Sequence, residues 1–336
     1  MKENYPIDFV MLWVDGNDEN WKKERAKYDT NINGQDGRNQ RFRSWDNLQM
    51  WFRGVEKYAS WVNKIFFITC GQKPEWLDEN NPKLRLVRHD EYIPKEYLPT
   101  FNSNVIEIHL HRIKDLSEHF VLFNDDMFLT NYIKRQDFFK KGLPVEQYLE
   151  YPVGSGINKL MPYIFINNNN IIAKNFSRKD ILKNQRWKIL NWRYGMYFFY
   201  NLIFYMMPFP NYFGVLTMHI AYPHLKSVIE EVWSKEYEEM CNTSGHRFRQ
   251  KEDISHYLFR MWYLSYGRFV PGNRMKMGKM FKIGIDDQKL FDSIEKERYK
   301  IICVADEISD EEFEIAKEKL NKSLNQILSE KSSFEK

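Results

Sequence analysis

The stretch His119–Leu129, HFVLFNDDMFL, decides how this chain is read. An apolar run of buried-strand type leads into two adjacent carboxylates, Asp125 and Asp126. Unpaired charge is costly to bury, so the pair either sits at the mouth of a site or forms an ordinary solvated turn. The same pattern recurs upstream. IDFVMLWV (7–14) ends at Asp15-Gly16, KIFFIT (64–69) at Cys70-Gly71-Gln72, and LRLVRH (84–89) at His89-Asp90. Between the first two, SWDNLQMWFRGVEKYA (44–59) sets Leu48, Trp51, Phe52, Val55, Tyr58 and Ala59 at helical spacing. SNVIEIHLHRIKDL (103–116) also reads as a helix. Strands alternating with helices predict an α/β fold, a mostly parallel sheet flanked by helices. Ligands of such sheets bind beyond the carboxyl ends of the strands, which is where these polar strand ends fall.

Residues 136–215 break the alternation, with NNNN at 167–170 and a long aromatic segment. They read as an insertion or subdomain within a single catalytic domain, 1–328, whose core is 1–135 and 216–328. Helices return in HLKSVIEEVWSKEY (224–237) and EDISHYLFRMWYLSYG (252–267), and YKIICVADE (299–307) is a last strand ending in acids. A final helix opens with a Ser309-x-x-Glu312 capping box, and 329–336 reads as a frayed, disordered tail.

The 336 residues carry 50 basic against 46 acidic side chains, an excess too small to argue for nucleic acid. Cys70, Cys241 and Cys303 are odd in number and far apart, which favours a reducing compartment. The N-terminus lacks the apolar core and cleavage site of a signal peptide, and a cytoplasmic protein is expected. Tyr194–Met218 carries no charge but is interrupted by Pro208, Pro210 and Gly214. It is open to three readings: a membrane span, a buried helical hairpin, or a dip into the bilayer interface. No GxGxxG, Walker or GxSxG motif is present, which disfavours dinucleotide redox, P-loop and α/β-hydrolase chemistry.

Adjacent carboxylates after a strand suit a hard divalent cation, Mg²⁺ or Mn²⁺. In MHIAYPHLKS (218–227), His219 and His224 are either general-base candidates or ordinary hydrogen-bonded histidines. In GHRFRQKED (245–253), Arg247 and Arg249 are forks for phosphate oxygens or partners of nearby acids.

Several stretches together resemble the Stealth family. IDFVMLWVDGND is similar to its first conserved block, and RFRSWDNLQMWFRGVEKYASWVNKIFFITCGQKPEWL through PTFNSNVIEIHLHRIKDLSEHFVLFNDDMFL to its second. HIAYPHLKSVIEEVW with HRFRQKEDISHYLFRMWYL resembles the third, and KIICVADE the fourth. The family includes bacterial capsular polysaccharide phosphotransferases and the catalytic part of the lysosomal-enzyme N-acetylglucosamine-1-phosphotransferase. The resemblance implies a GT-A-like (Rossmann-like) fold. It also implies a hexose-1-phosphate transferase that takes a sugar 1-phosphate from a nucleotide sugar of the UDP type to a glycan hydroxyl, releasing nucleoside monophosphate. The family's acid pair falls on Asp125 and Asp126, its histidine on His219 or His224, and its arginine on Arg249 with Arg247 assisting. Asp306 fits the fourth-block acid that would join the metal site, although Ala305 stands where asparagine is usual. Trp13, Asp15, Gly16, Gly71 and Gln72 are expected to line the nucleotide pocket, with Arg41, Asn102, Ser103, His109 and Arg112 as second-rank candidates. Peripheral contact with the inner membrane is expected through 186–215. The competing expectations are a glycosyltransferase that releases nucleoside diphosphate and a non-catalytic glycan-binding module.

Overall fold

The computed structural model describes residues 5–28, 43–154, 159–284 and 286–336. In chain order, the first half contains β1 (Ile7–Leu12), α1 (Glu19–Ala26), α2 (Leu48–Tyr58), β2 (Ile65–Thr69), β3 (Leu84–Arg88), α3 (Ser103–Ile108), β4 (His119–Phe123) and β5 (Met127–Leu129). The middle adds α4 (Arg135–Phe138), β6 (Phe139–Lys140), β7 (Leu143–Glu146), α5 (Met161–Asn175), α6 (Arg178–Ile189) and α7 (Tyr197–Met206). The remainder is β8 (Tyr222–Leu225), α8 (Lys226–Lys235), α9 (Tyr237–Ser244), α10 (Tyr257–Tyr266), β9 (Val270–Pro271), β10 (Gly278–Ile283), α11 (Asp287–Glu295), β11 (Ile301–Asp306) and α12 (Asp310–Ile327).

The main sheet has the order β3-β2-β1-β4-β8. Its first four strands are parallel, as the alternation predicts, and β8 runs antiparallel to β4. The order changes direction at β1, which pairs with β2 on one side and β4 on the other. That is the switch point where a crevice opens. Buried in β1, Asp8 is satisfied by the side chain of Asn63 (2.7 Å) and the backbone amides of Lys64 and Ser117. The apolar stripe expected in 44–59 is real: Trp51, Phe52, Val55 and Tyr58 of α2 are buried.

A second sheet, β10-β11-β5, receives α11 and α12 on a core of its own that includes Ile283, Leu290, Val304 and Leu320. A third small sheet, β6-β7-β9, joins the middle segment to the chain after α10. The join is reinforced by a buried cluster. Arg260 of α10 donates twice to Glu146 of β7, at 3.1 and 3.0 Å, and Arg274 lies 3.7 Å from the same carboxylate.

The helix expected over 103–116 is α-helical only to Ile108 and is followed by a single 3-10 turn, Leu110–Arg112. The Ile108 carbonyl accepts the Trp233 indole N–H at 2.8 Å, replacing the amide that would continue the helix. The frayed tail expected at 329–336 is instead docked. Phe334 is buried against Phe52, and Glu335 takes two 2.8 Å hydrogen bonds from Arg53. Ser309 precedes α12 as expected, but its hydroxyl bonds the Glu312 side chain and no backbone amide. His224, read as the start of the 224–237 helix, sits instead in β8, where Pro223 is in register with Val121. A proline there is consistent with an edge strand.

Candidate active site

A cleft of about 630 Å³ opens over the ends of β1, β2 and β4. Leu12, Trp13 and Val14 come from the end of β1, Ile68 and Cys70 from β2, and Asn124, Asp125 and Asp126 from β4. Ser103, Asn104 and Glu107 of α3 form one wall. The segments Thr217–His219, Phe248–Arg249 and Ser255–Tyr257, with the end of β11, complete it. The two aspartates that follow the apolar run His119–Phe123 thus line this cleft.

Asp126 and His219 meet there, with Asp126 Oδ2 3.1 Å from His219 Nε2. The other imidazole nitrogen, Nδ1, lies 3.0 Å from the hydroxyl of buried Tyr257. Burial works against a charged imidazole, but the Asp126 carboxylate outweighs it and raises the His219 pKa above its ordinary value. Burial likewise pushes Asp126 up, and His219 more than reverses this, leaving the carboxyl below its usual range. Asp125 opens into the cleft but is enclosed by its walls. Loss of bulk water, and then the Asp126 charge, push it up to about 7. Behind the pair, the Cys303 thiol donates to Asp126 Oδ2 at 3.3 Å. Burial and the carboxylate raise its pKa well above the ordinary thiol value, so it remains a thiol.

Arg249 donates to Ser103 Oγ across the cleft. Glu107, on the α3 wall of the same cleft, is buried and pushed up to about 7 by desolvation against the pull of Arg249 and His219. Sequence reading missed Glu107, because one acid within an apolar helical stretch carries no periodic signal. It also missed Asp253, read only as part of a helix start. Asp253 is fully buried and bonds His246 Nδ1 at 2.7 Å and the side chains of Asn102 and Asn104. Those bonds hold the Arg249 loop against α3.

The other expected site residues are distributed more widely. Trp13 lines the cleft and stacks on Phe67. Asp15, Gly16, Gly71 and Gln72 follow β1 and β2 but are not part of that lining. There the Gln72 amide ties β1 to β2 by accepting from Asp15 N (2.8 Å) and donating to Asp15 O (3.0 Å). Gly71 has φ +114°, a conformation glycine adopts without strain. Asn102 caps α3, with no place on the cleft wall. His109 is buried beside Ser244 and Trp233 and pushed down to about 3 by burial, and Arg112 stacks on the same indole. Arg247 turns to the ring of Tyr28. His224 is buried behind the cleft against His256, at 3.2 Å, and is pushed down to about 3, first by burial. Of the two histidines left open by the sequence, His219 alone lines the cleft. Asp306 lines it too, but Arg43 holds its carboxylate, with Nε 2.6 Å from Oδ2. Arg41 lies outside the described residues.

The chain matches the models of Stealth protein conserved region 1 over residues 5–32 and conserved region 2 over 41–146. A capsular polysaccharide phosphotransferase, WcwK, of Streptococcus pneumoniae is 42% identical over 338 residues, spanning 100% of both chains. The chain belongs to the Stealth family. A receptor polysaccharide phosphotransferase, WefC, of Streptococcus gordonii is 40% identical over 98% of each chain. An exopolysaccharide phosphotransferase, cps2G, of Lactiplantibacillus plantarum is 35% identical over 99% of this chain and 97% of its own. As a Stealth member the chain is a phosphotransferase. Among solved structures, the bifunctional glycosyltransferase WbbM in its apo form aligns with 98% of this chain and 51% of its own, at TM-score 0.43 and 8% identity.

The donor atoms of this Stealth cleft fit a hard cation. Asp126, His219 and Cys303 place one ligand atom each within 4.8 Å of one another. As a protonated thiol, however, Cys303 acts as a donor that orients Asp126. Asp126 Oδ1 is buried with no hydrogen-bond partner, an unused acceptor beside Asp125. Asp125 and Asp126 offer oxygen donors of the kind that hold a hard divalent cation.

Proposed function

We propose that this enzyme transfers a sugar 1-phosphate from a nucleotide sugar, of the UDP type, to a hydroxyl of a growing glycan in capsular or other cell-surface polysaccharide synthesis, in the cytoplasm. The observation that carries this is the Asp126–His219 contact facing Arg249 in one cleft at the sheet's switch point. The full-length likeness to polysaccharide phosphotransferases supports it.

In the proposed reaction the acceptor oxygen bonds to the phosphorus that bears the sugar. The bond from that phosphorus to the bridging oxygen breaks, and nucleoside monophosphate leaves with the bridging oxygen. The acceptor proton passes to His219 Nε2. In the resting pair Nε2 carries a proton shared with Asp126. To act as base, the ring first releases that Nε2 proton to solvent, keeps its Nδ1 proton in a hydrogen bond donated to the Tyr257 oxygen, and turns its Nε2 lone pair to the acceptor. Tyr257 can donate or accept, so it supports the ring in both states. Arg249, oriented by Ser103, offsets charge on the phosphoryl oxygens as the bonds exchange. Asp125 and Asp126 would hold the divalent cation, which neutralises diphosphate charge when bound.

The test is the identity of the released nucleotide. Incubation with a panel of nucleotide sugars and a short glycan acceptor is expected to yield nucleoside monophosphate and a phosphodiester-linked product. Release of diphosphate would place the attack at the anomeric carbon and overturn the proposal.

A further inference from the structure

Helix α7 presents its faces the wrong way round for a helix on a water-soluble surface. Its polar Asn201 is buried, donating to the carbonyls of Tyr148 at 2.7 Å and Ile189 at 2.8 Å. Outward face Met196, Phe199, Ile203 and Met206, every one more than half exposed. Their spacings of three, four and three residues make one stripe along the helix.

This exposure is built in. Buried Arg178 donates to the carbonyls of Phe204, Met207 and Phe209, at 2.7, 3.2 and 2.8 Å, while pairing with buried Glu150. The Tyr200 hydroxyl adds a 2.9 Å bond to the Glu150 carbonyl. The end of α7 is therefore pinned, and the apolar face cannot roll inward without breaking these bonds.

Along the segment that carries α7, charge has one sign. No aspartate or glutamate occurs between Asp180 and Glu230. Exposed Lys183, Arg186 and Arg193 stand beside Trp187 and Trp192, each 78% exposed. Arg186 and Arg193 lie over those indoles, at 5.2 and 5.6 Å. Among the described residues, no helix is long and apolar enough to cross a membrane.

We infer that α7 and the turn before it rest in the interface of a bilayer rich in anionic lipid. The stripe enters the boundary between headgroups and acyl chains, the two tryptophans sit at headgroup depth, and the cations meet lipid phosphates. A second copy is the poorer occupant, because a two-fold contact would bring the same uncompensated cations face to face. Of the three readings of the aromatic segment, this one agrees with the faces that α7 exposes and buries.

The test is flotation of the purified full chain with vesicles of phosphatidylglycerol and phosphatidylcholine, against phosphatidylcholine alone. The chain is expected to float with the anionic vesicles and to be released by salt. The triple variant Phe199→Ser, Ile203→Ser, Met206→Ser is expected to lose at least about tenfold in vesicle affinity. It should retain turnover of a short soluble acceptor, which shows that it folds. Arg186→Glu with Arg193→Glu, which leaves the stripe intact, is expected to abolish the preference for anionic vesicles, whereas Ile315→Ser, an exposed apolar residue outside this patch, changes nothing. Wild type that fails to float, or a triple variant that floats equally well, overturns the inference. So does a wild-type dimer that the triple variant converts to monomer. Flotation reports on this surface whatever nucleotide the enzyme releases.

Discussion

The carboxylate of Asp253 accepts the side-chain amide of Asn102 at 2.8 Å, joining the loop that carries Arg249 to the helix that carries Ser103. Neither residue lines the cleft, yet together they set where the guanidinium points. Asp253→Ala leaves Asn102, Asn104 and His246 without their shared acceptor. It is expected to lower kcat strongly, with a stability loss of about 1–3 kcal/mol for the buried donors left unpaired. Steady-state kinetics and urea unfolding on the same preparation separate the two effects. Unchanged kcat would show that the Arg249 loop holds its position without Asp253.

His219→Ala is expected to lose about 10²–10⁴ in kcat, the usual contribution of a positioned base, while nucleotide-sugar affinity by calorimetry is retained. Because Asp126 raises the His219 pKa, Asp126→Asn is expected to lower it, moving the imidazole titration followed by NMR toward acid pH. A histidine resonance that titrates identically in both proteins would contradict the assigned pair.

Glu107 binds its proton more tightly in the folded chain, near pH 7, than in the unfolded chain, near 4.5. Its contribution to stability is therefore complete below pH 4.5 and is lost as pH rises through 7. Glu107→Gln imitates the protonated form. It is expected to melt higher than wild type at pH 8, by at most about 3 kcal/mol, with the difference vanishing at acid pH and activity reduced. A variant less stable than wild type at pH 8 would show that the charged carboxylate is well paired.

Removing Glu146 strands Arg260 and Arg274 in the interior. Glu146→Ala is expected to cost about 3–5 kcal/mol in chemical unfolding, the penalty for a broken buried ion pair. Glu146→Gln, which keeps acceptor and shape, is expected to cost less. Equal losses would mean that charge, and not hydrogen-bond geometry, holds the middle segment to α10.

Chelation is expected to stop turnover, with Mg²⁺ or Mn²⁺ restoring it, because Asp126 Oδ1 has no hydrogen-bond partner and Asp125 lines the same cleft. Cys303→Ser keeps a hydrogen-bond donor behind Asp126 and is expected to leave the metal requirement nearly unchanged. A large rise in the metal concentration needed would make the sulfur a direct ligand.

Much of the fold was legible because its signal is local. The apolar runs of β1, β2 and β4 and the stripe of α2 follow directly from side-chain period, and the polar strand ends marked the cleft. Other features depend on tertiary partners that no local pattern reveals. The early stop of α3 depends on an indole from α8, and the docked tail on Arg53 of α2. The burial of His224 follows from β8 joining the sheet, whereas the local sequence runs on into the apolar stripe of the following helix. At the site, acids beside one another in sequence were visible. Glu107 and Asp253, which act through residues distant in the chain, were not.

The direction of β8 has a further consequence. Since β8 runs against β4, the chain enters it at the rim where β4 leaves, and His219, three residues before β8, arrives beside Asp126. Had that strand run with its neighbours, its four residues would have carried the imidazole about 14 Å away, to the opposite lip of the sheet. A single reversal of chain polarity is thus what turns two remote pieces of sequence into one reactive pair.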